Sequence, residues 1–417
     1  MKYFYYSIIL SVFLCFHNNA SAQTVSAKSD SVIATYDSLG LYLSSITDSP
    51  YVSSKQKIIS VRSANKLLAQ AEAKNDLKSK AHALLTLSDA YIAYGNNKKA
   101  FSYLIRSLKA KDDFDDDIAV AHMYYNLAIV LSRLKQYPAA LKCFYKTGYV
   151  YQQTNFKRKR RQISAIDTSV VLSRAELYGN AVVDENAASN IFSDSLVDAS
   201  LFAIDTIKIV NNPLLEDSPS VDYDNLLDAF YDNKPAFAYA VMIHIKQPIS
   251  GRSDVFTRIT KVGHTFITLI KFNTDSTVVS KSFGFYPLKD NILSATPLLP
   301  STNSEIKNDS LHDWDEAIGK FISAKKFEQI LDFVDEASPK RYNLNKNNCT
   351  DFGLHIANMA GITITGTRSN WPLGKGNNPA TTGQSILRGK FINTDTQNQH
   401  GLFACSNNLF IHRIIAQ

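Results

Sequence analysis

The sequence predicts an α+β chain in which an all-α N-terminal half is followed by a domain with a small antiparallel sheet. Two patterns carry that expectation. From about Asp30 to Thr154, apolar and small residues recur at spacings of three and four, as in Leu67, Leu68 and Ala71, Leu84, Leu87, Ala90 and Tyr91, and Tyr124, Leu127, Ala128 and Leu131. This is the signature of amphipathic helices. From Ala236 the period changes, and the runs 237–245, 264–272 and 277–285 read as strands. A chain of 417 residues exceeds the roughly 100 to 200 of a typical domain, so two or three units are expected. The boundaries read as a leader over 1–22, helices over 30–154, a linker or irregular segment over 155–233, and the sheet-containing domain over 234–417. Each unit is expected to bury its own core, so a piece starting near Asp224 should fold alone.

Composition narrows the function classes. Hydrophobic residues make up 45% and charged residues 20%, which excludes a mostly disordered chain. Lys and Arg number 45 against 38 Asp and Glu. That excess is too mild for the dense basic field of a nucleic-acid binder, so no nucleic-acid partner is expected.

Lys2, the apolar run over 3–16, and Ala20-Ser21-Ala22 before Gln23 read as a secretory signal peptide. The apolar run is shorter than the roughly 20 residues needed to cross a bilayer. Leu14 is too bulky for the position before a lipidated cysteine. The chain is expected to be exported, periplasmic or extracellular. Without Cys15 the mature part keeps Cys143, Cys349 and Cys405, an odd and sparse set for an oxidising compartment. Either all three are small buried hydrophobes, or one is kept reduced for its chemistry.

Within the helical half, Leu87-Ser88-Asp89-Ala90-Tyr91, Gly95 and Ala100-Phe101 align with Leu127-Ala128-Ile129-Val130-Leu131, Lys135 and Ala140-Leu141, 40 residues later. This resembles the tetratricopeptide repeat, with extra length in the acidic loop 111–117. The resemblance implies a solenoid whose concave face takes a protein partner. Nothing here suggests catalysis: His82 and His122 read as structural histidines, and the acidic loop lacks calcium-loop spacing. The basic run 157–161 reads as a solvated linker or, less simply, an anionic-surface patch.

The chemistry concentrates in the second domain. Asn273-Thr274-Asp275-Ser276 suits a hairpin turn between two of the strands. Ser323 caps a helix that ends near Ser338-Pro339. Asn348 is a good cap for a further helix that begins at Cys349 and stops at Gly361. On that first turn the exposed N–H groups and the dipole favour a thiolate, the nucleophilic form. With Gly263-His264 opening a strand, Cys349 and His264 are the two parts of a cysteine–histidine dyad. His244 reads as a core histidine, and Trp371-Pro372 with the stretch through Asn378-Pro379 as a loop beside the cleft.

Gly263-His264-Thr265-Phe266 and, 85 residues on from the histidine, Asn348-Cys349-Thr350-Asp351-Phe352 resemble the circularly permuted NlpC-like papain-fold group, including lecithin retinol acyltransferase-like proteins. The resemblance implies a papain-like α+β domain in which Cys349 is the nucleophile and His264 its base. It also implies a polar orienting group on the adjoining strand, Ser280 or Ser282; Ser282 is taken as the site residue. It further implies a thiol hydrolase or acyltransferase, with peptidoglycan peptides, acyl lipids or protein as substrates. There is no H-E-x-x-H helix, G-x-S-x-G elbow or phosphate loop, and no cofactor or metal is expected. The rival reading is a non-catalytic adaptor whose second domain is a degenerate scaffold.

Overall fold

The computed structural model describes residues 54–114, 117–158, 201, 204, 218–255, 262–337, 341–399 and 401–407; the leader and most of the 155–233 segment lie outside them. The described chain is α+β, with helices first and an antiparallel sheet after them. The helices are α1 (Ser54–Ala73), α2 (Leu77–Tyr94), α3 (Asn97–Lys109), α4 (Asp117–Arg133) and α5 (Tyr137–Arg158). Asp76 accepts the Ser79 amide and Asn96 the Lys99 amide, so the starts of α2 and α3 are capped by side chains. The hairpins α2–α3 and α4–α5 begin 40 residues apart, the offset of the sequence self-comparison.

A short helix, α6 (Tyr223–Asp228), leads into β1 (Ala236–Lys246), β2 (His264–Asn273), β3 (Val278–Pro287), β4 (Ser301–Thr302), β5 (Ser304–Asn308) and β6 (Glu316–Ile322). Then follow α7 (Ala324–Ala337), β7 (Tyr342–Asn343), α8 (Cys349–Ala360), β8 (Ile362–Ile364), β9 (Arg368–Trp371), β10 (Gly374–Asn377), α9 (Pro379–Leu387), β11 (Phe391–Asn393) and β12 (Phe403–Ser406). The main sheet has the order β12-β6-β1-β2-β3-β5 and is antiparallel throughout. The β2–β3 hairpin expected from its turn residues is present, with Thr268 opposite Ser282. β5 and β6 carry weak strand signals in the sequence: β5 is largely polar, and β6 has Gly319 and Lys320 in its interior.

Strands alternate faces, so each central strand supplies two cores. On one face Ala240, Met242, Phe266, Ile270, Phe272, Phe321 and Phe403 join Leu127, Leu131, Tyr137 and Phe144 of the helical unit. On the other, Val241, Ile243, Ile267, Leu269 and Ile318 pack with residues of α7 and α8 such as Ile330, Val334, Phe352 and Ile356. The expectation that each unit buries its own core therefore fails. The sheet's first face is closed by the helices: Phe144 meets Phe403 at 5.0 Å between ring centroids, and Tyr137 meets His244 at 4.5 Å. Buried Arg133 donates to the Ser406 carbonyl at 3.0 Å and to the Ile92 carbonyl at 3.2 Å, tying α4 to β12. Periodicity distinguishes helix from strand but does not say whether a strand is covered on one face or two.

Nor does the 234 boundary coincide with an edge of packing. Leu226, Leu227 and Phe230 lie in the second core, and residues 219–221 hydrogen-bond along β5 through Asn308 N–H to the Pro219 carbonyl and Val221 N–H to the Ile306 carbonyl. A piece beginning at Asp224 would thus lose both the helical cover and this strip, and it should be insoluble or unfolded. In the full chain, Phe403→Ala removes a ring shared by both units and should cost about 3–5 kcal/mol. Helical and aromatic circular dichroism should then be lost in one coincident transition at a lower temperature. Separate transitions would show that the units are independent.

Candidate active site

His264 opens β2 opposite Lys246 at the end of β1, which places its ring at the rim of the sheet. Its Nε2 lies 3.0 Å from Oδ2 of Asp309, the residue after β5. Donation from Nε2 to that carboxylate leaves Nδ1 for the sulfur of Cys349. The thiol approaches the imidazole from the N-terminus of α8, near enough for each group to shift the other's ionisation.

Local sequence explains the placement of Cys349. The Asn348 side chain accepts the amides of Thr350 and Asp351, while Asp351 accepts the Asn348 amide, a complete capping box. The helix ends at Gly361 in the left-handed region, with φ of 88°. Asn348 Nδ2 also donates to the carbonyls of Leu344 and Asn377, and Asn377 Nδ2 donates to Asp351. The loop foreseen around 371–379 is thus a β9–β10 hairpin that braces the cap. On β2, Thr265 and Thr350 share a hydroxyl hydrogen bond of 3.1 Å, which fixes the start of α8 against the strand.

Electrostatics follow from this geometry. Burial opposes a charge on His264, yet the Asp309 carboxylate and the contact with Cys349 raise its pKa to about 9. Burial likewise pushes the Cys349 thiol up, but the hydrogen bond and charge of His264, then the Thr265 amide and the Thr350 hydroxyl, hold it below the usual thiol range. Asp309 is lowered: burial resists, and the charge and hydrogen bond of His264 prevail. These are the marks of a thiolate–imidazolium pair backed by a carboxylate. Cys349 and His264 keep 8% and 7% of their surface exposed, whereas Asp309 has none. The dyad therefore meets solvent at one edge and the carboxylate does not.

The orienting group is a correction. Ser282 does not touch His264; its hydroxyl is 2.8 Å from Thr268 Oγ1, and Ser280 is exposed. Ser282 acts instead through its backbone carbonyl, which accepts the Asp309 amide at 2.9 Å. Asp309 was missed because it follows β5, a strand with no hydrophobic run to announce it. His244 is buried, lies 2.9 Å from Thr268 Oγ1 and is pushed down by burial to about 3, so it stays neutral. Cys143, Cys349 and Cys405 are all free and buried, so no disulfide engages the Cys349 sulfur. Tyr342 on β7 is held against Cys349, its hydroxyl kept protonated by burial and by the neighbouring thiolate.

Among the described residues no group of His, Cys, Asp or Glu could hold a metal ion, and no helix is long and apolar enough to cross a membrane. No family model, curated protein or solved structure matches this chain.

Gly284 on β3 faces the carboxylate and the ring at once. A Cβ there would lie 2.3 Å from Asp309 Oδ2 and 2.5 Å from His264 Nε2, inside any tolerable contact. Gly284→Ala should force the pair apart while leaving the sheet folded, at a stability cost of about 1–3 kcal/mol. Alkylation of Cys349 at pH 6.5 should fall roughly tenfold, the equivalent of one unit of thiol pKa. An unchanged alkylation rate in folded protein would show that the His264–Asp309 contact does not govern the thiol.

Proposed function

We propose that this chain is an exported thiol hydrolase that cleaves an amide or ester bond, with Cys349 as nucleophile, His264 as acid and base, and Asp309 as the group that orients the imidazole. The observation that carries this reading is the alignment of a helix N-terminal thiol, an imidazole and a fully buried carboxylate, each holding the next in its charged form. A structural histidine gains nothing from being kept cationic beside a thiol.

The steps follow from the donors present. The Cys349 thiolate attacks the carbonyl carbon, and the developing oxyanion meets the Cys349 amide, the first-turn amide of α8 that the Asn348 cap does not take, with the Tyr342 hydroxyl beside it. As the tetrahedral adduct collapses, His264 gives its Nδ1 proton to the departing amine or alcohol, leaving a thioester on Sγ. The now neutral imidazole takes a proton from water, which attacks the thioester and frees the acid and the thiolate. No outside oxidant or metal enters this balance.

The helical half fits a tetratricopeptide-like module for a protein partner, and the second half a papain-like domain. Substrates consistent with the chemistry are peptidoglycan peptides, acyl lipids and protein amides or isopeptides. One observation favours the rival adaptor reading. A groove of about 320 Å³ runs along α8 past Phe285, Phe333, Asp351, Phe352 and His355, and its lining does not include Cys349 or His264. The hydrolase reading therefore puts the scissile bond at the exposed rim of the dyad and not in this groove.

The thiol's pH profile separates the readings. The raised His264 pKa means the imidazolium's contribution to stability is complete below the usual 6.5 and is lost as pH climbs through about 9. The depressed Cys349 pKa means the thiolate persists below the usual thiol range. Iodoacetamide should therefore label Cys349 rapidly at pH 6 to 7, well ahead of Cys143 and Cys405. In His264→Ala the buried thiol loses its counter-charge, and labelling at pH 6.5 should drop by about tenfold or more. A profile equal to that of a free thiol and unchanged by His264→Ala would favour the adaptor. Hydrolysis of wall peptides, acyl esters or isopeptides by wild type, and by no Cys349→Ala preparation, would identify the substrate class.

A further inference from the structure

The segment before the sheet domain reads from sequence as linker, yet its last residues touch the site. Pro219, Ser220 and Val221 run beside β5: Asn308 N–H donates to the Pro219 carbonyl at 2.9 Å, Ser220 bridges Lys307, and Val221 N–H donates to the Ile306 carbonyl at 3.0 Å. This extends the sheet past its edge strand. The strip delivers Ser218, whose buried hydroxyl donates to Asp309 Oδ1 at 2.6 Å. From β3 the Tyr286 hydroxyl donates to the same oxygen at 2.7 Å, and its ring stands 4.2 Å from that of His264.

The two oxygens of Asp309 are thus divided. Oδ1 takes Ser218 and Tyr286, and Oδ2 takes His264. A carboxylate with no exposed surface can hold its charge only if its lone pairs are met by donors, and here two of the three donors lie outside the cysteine–histidine pair. We propose that Ser218 and Tyr286 are positioning residues for the hydrolase, and that docking of the 218–221 strip on β5 is a condition for a competent site. They act through Asp309: by saturating Oδ1 they keep the group ionised at acid pH and turn Oδ2 toward the imidazole. The inference rests on the thiol-hydrolase reading for its functional meaning. Its readout is a titration and needs no substrate.

The titratable groups around Asp309 are His264 on β2, His244 on β1, Tyr286 on β3, His312 on the following loop, Cys349 on α8 and Tyr137 on α5. Of these, His264 is the cation held against it; burial pushes His244 down to about 3, and it pushes His312 down as well. Loss of an Oδ1 donor raises the pKa of Asp309 itself. Protonated Asp309 no longer supports the imidazolium, so the acid limb of Cys349 reactivity should move to higher pH.

The experiment is iodoacetamide labelling of Cys349 from pH 4 to 9 in the full-length chain, read by mass spectrometry, for wild type, Ser218→Ala, Ser218→Thr, Tyr286→Phe and His264→Ala. Circular dichroism on each variant checks folding. Ser218→Ala and Tyr286→Phe should each shift the acid limb upward by about one unit, a tenfold loss of rate near the limb with little change above pH 8. Ser218→Thr keeps the hydroxyl and should restore the wild-type limb. Tyr286→Phe keeps the ring wall and removes only the donor, so it decides the matter even if Ser218→Ala disturbs folding. An unmoved acid limb in Tyr286→Phe and in folded Ser218→Ala, while His264→Ala still lowers labelling, would overturn the proposal and leave the dyad intact. A fall uniform across pH would overturn it as well, because packing alone would then account for the effect. If His264→Ala also left the profile unchanged, the hydrolase reading would fall first.

Discussion

A carboxylate with no access to water is the constraint around which this site is arranged. An ionised Asp309 in the protein interior is tenable only because His264, Ser218 and Tyr286 all point donors at it. Those donors come from β2, from the strip before the sheet and from β3, and the carboxylate itself follows β5. One buried charge therefore imposes an order on four stretches that are distant in sequence. The thiol then inherits its state from the pair: an imidazole held cationic beside a sulfur on a helix N-terminus makes the thiolate the cheaper form.

The second constraint is that the central strands of the sheet have no free face. Strand alternation sends His244, Phe266 and Phe403 toward the helical unit and Ile243, Ile267 and Ala404 toward α7 and α8. A ring path runs from Tyr137 through His244 and Phe266 to His264, with centroid separations of 4.5, 4.6 and 6.0 Å. His264 thus stands on the face covered by the helices, and Cys349 arrives from the helix packed on the other. Both layers must be in place for the two to meet.

Much of this was legible, because strong local signals did the specifying. The change of period near Ala236, the turn at Asn273 to Ser276, the Asn348 cap and the Gly361 stop each have a mechanism that needs no tertiary knowledge, and with Gly263-His264 they sufficed to pick out Cys349 and His264. What stayed hidden depends on long-range contacts. Asp309 follows a short polar strand, and its role comes from a partner 45 residues away. Ser282 lies on the neighbouring strand, the place where sequence order puts an orienting group. It does contribute, through a carbonyl that no side-chain reading could single out. The shared core was invisible for a related reason: Phe144 and Phe403 look like core residues of separate units until the fold brings them together.

The joint between the two halves bears directly on the site. Lys135, between α4 and α5, donates to the carbonyl of Leu311, and His312 donates its amide to the carbonyl of Asp309. The loop that carries the orienting carboxylate is therefore held by the helical unit at one point and by the 218–221 strip at another. A helical module that served only to recruit a partner would need no contact with the residues that set a thiol's charge. Here the turn between two helices grips that loop within two residues of Asp309. Displacement of that turn would reach the carboxylate through adjoining hydrogen bonds, with no need for a long pathway. The helical half is thus part of the physical support of the site.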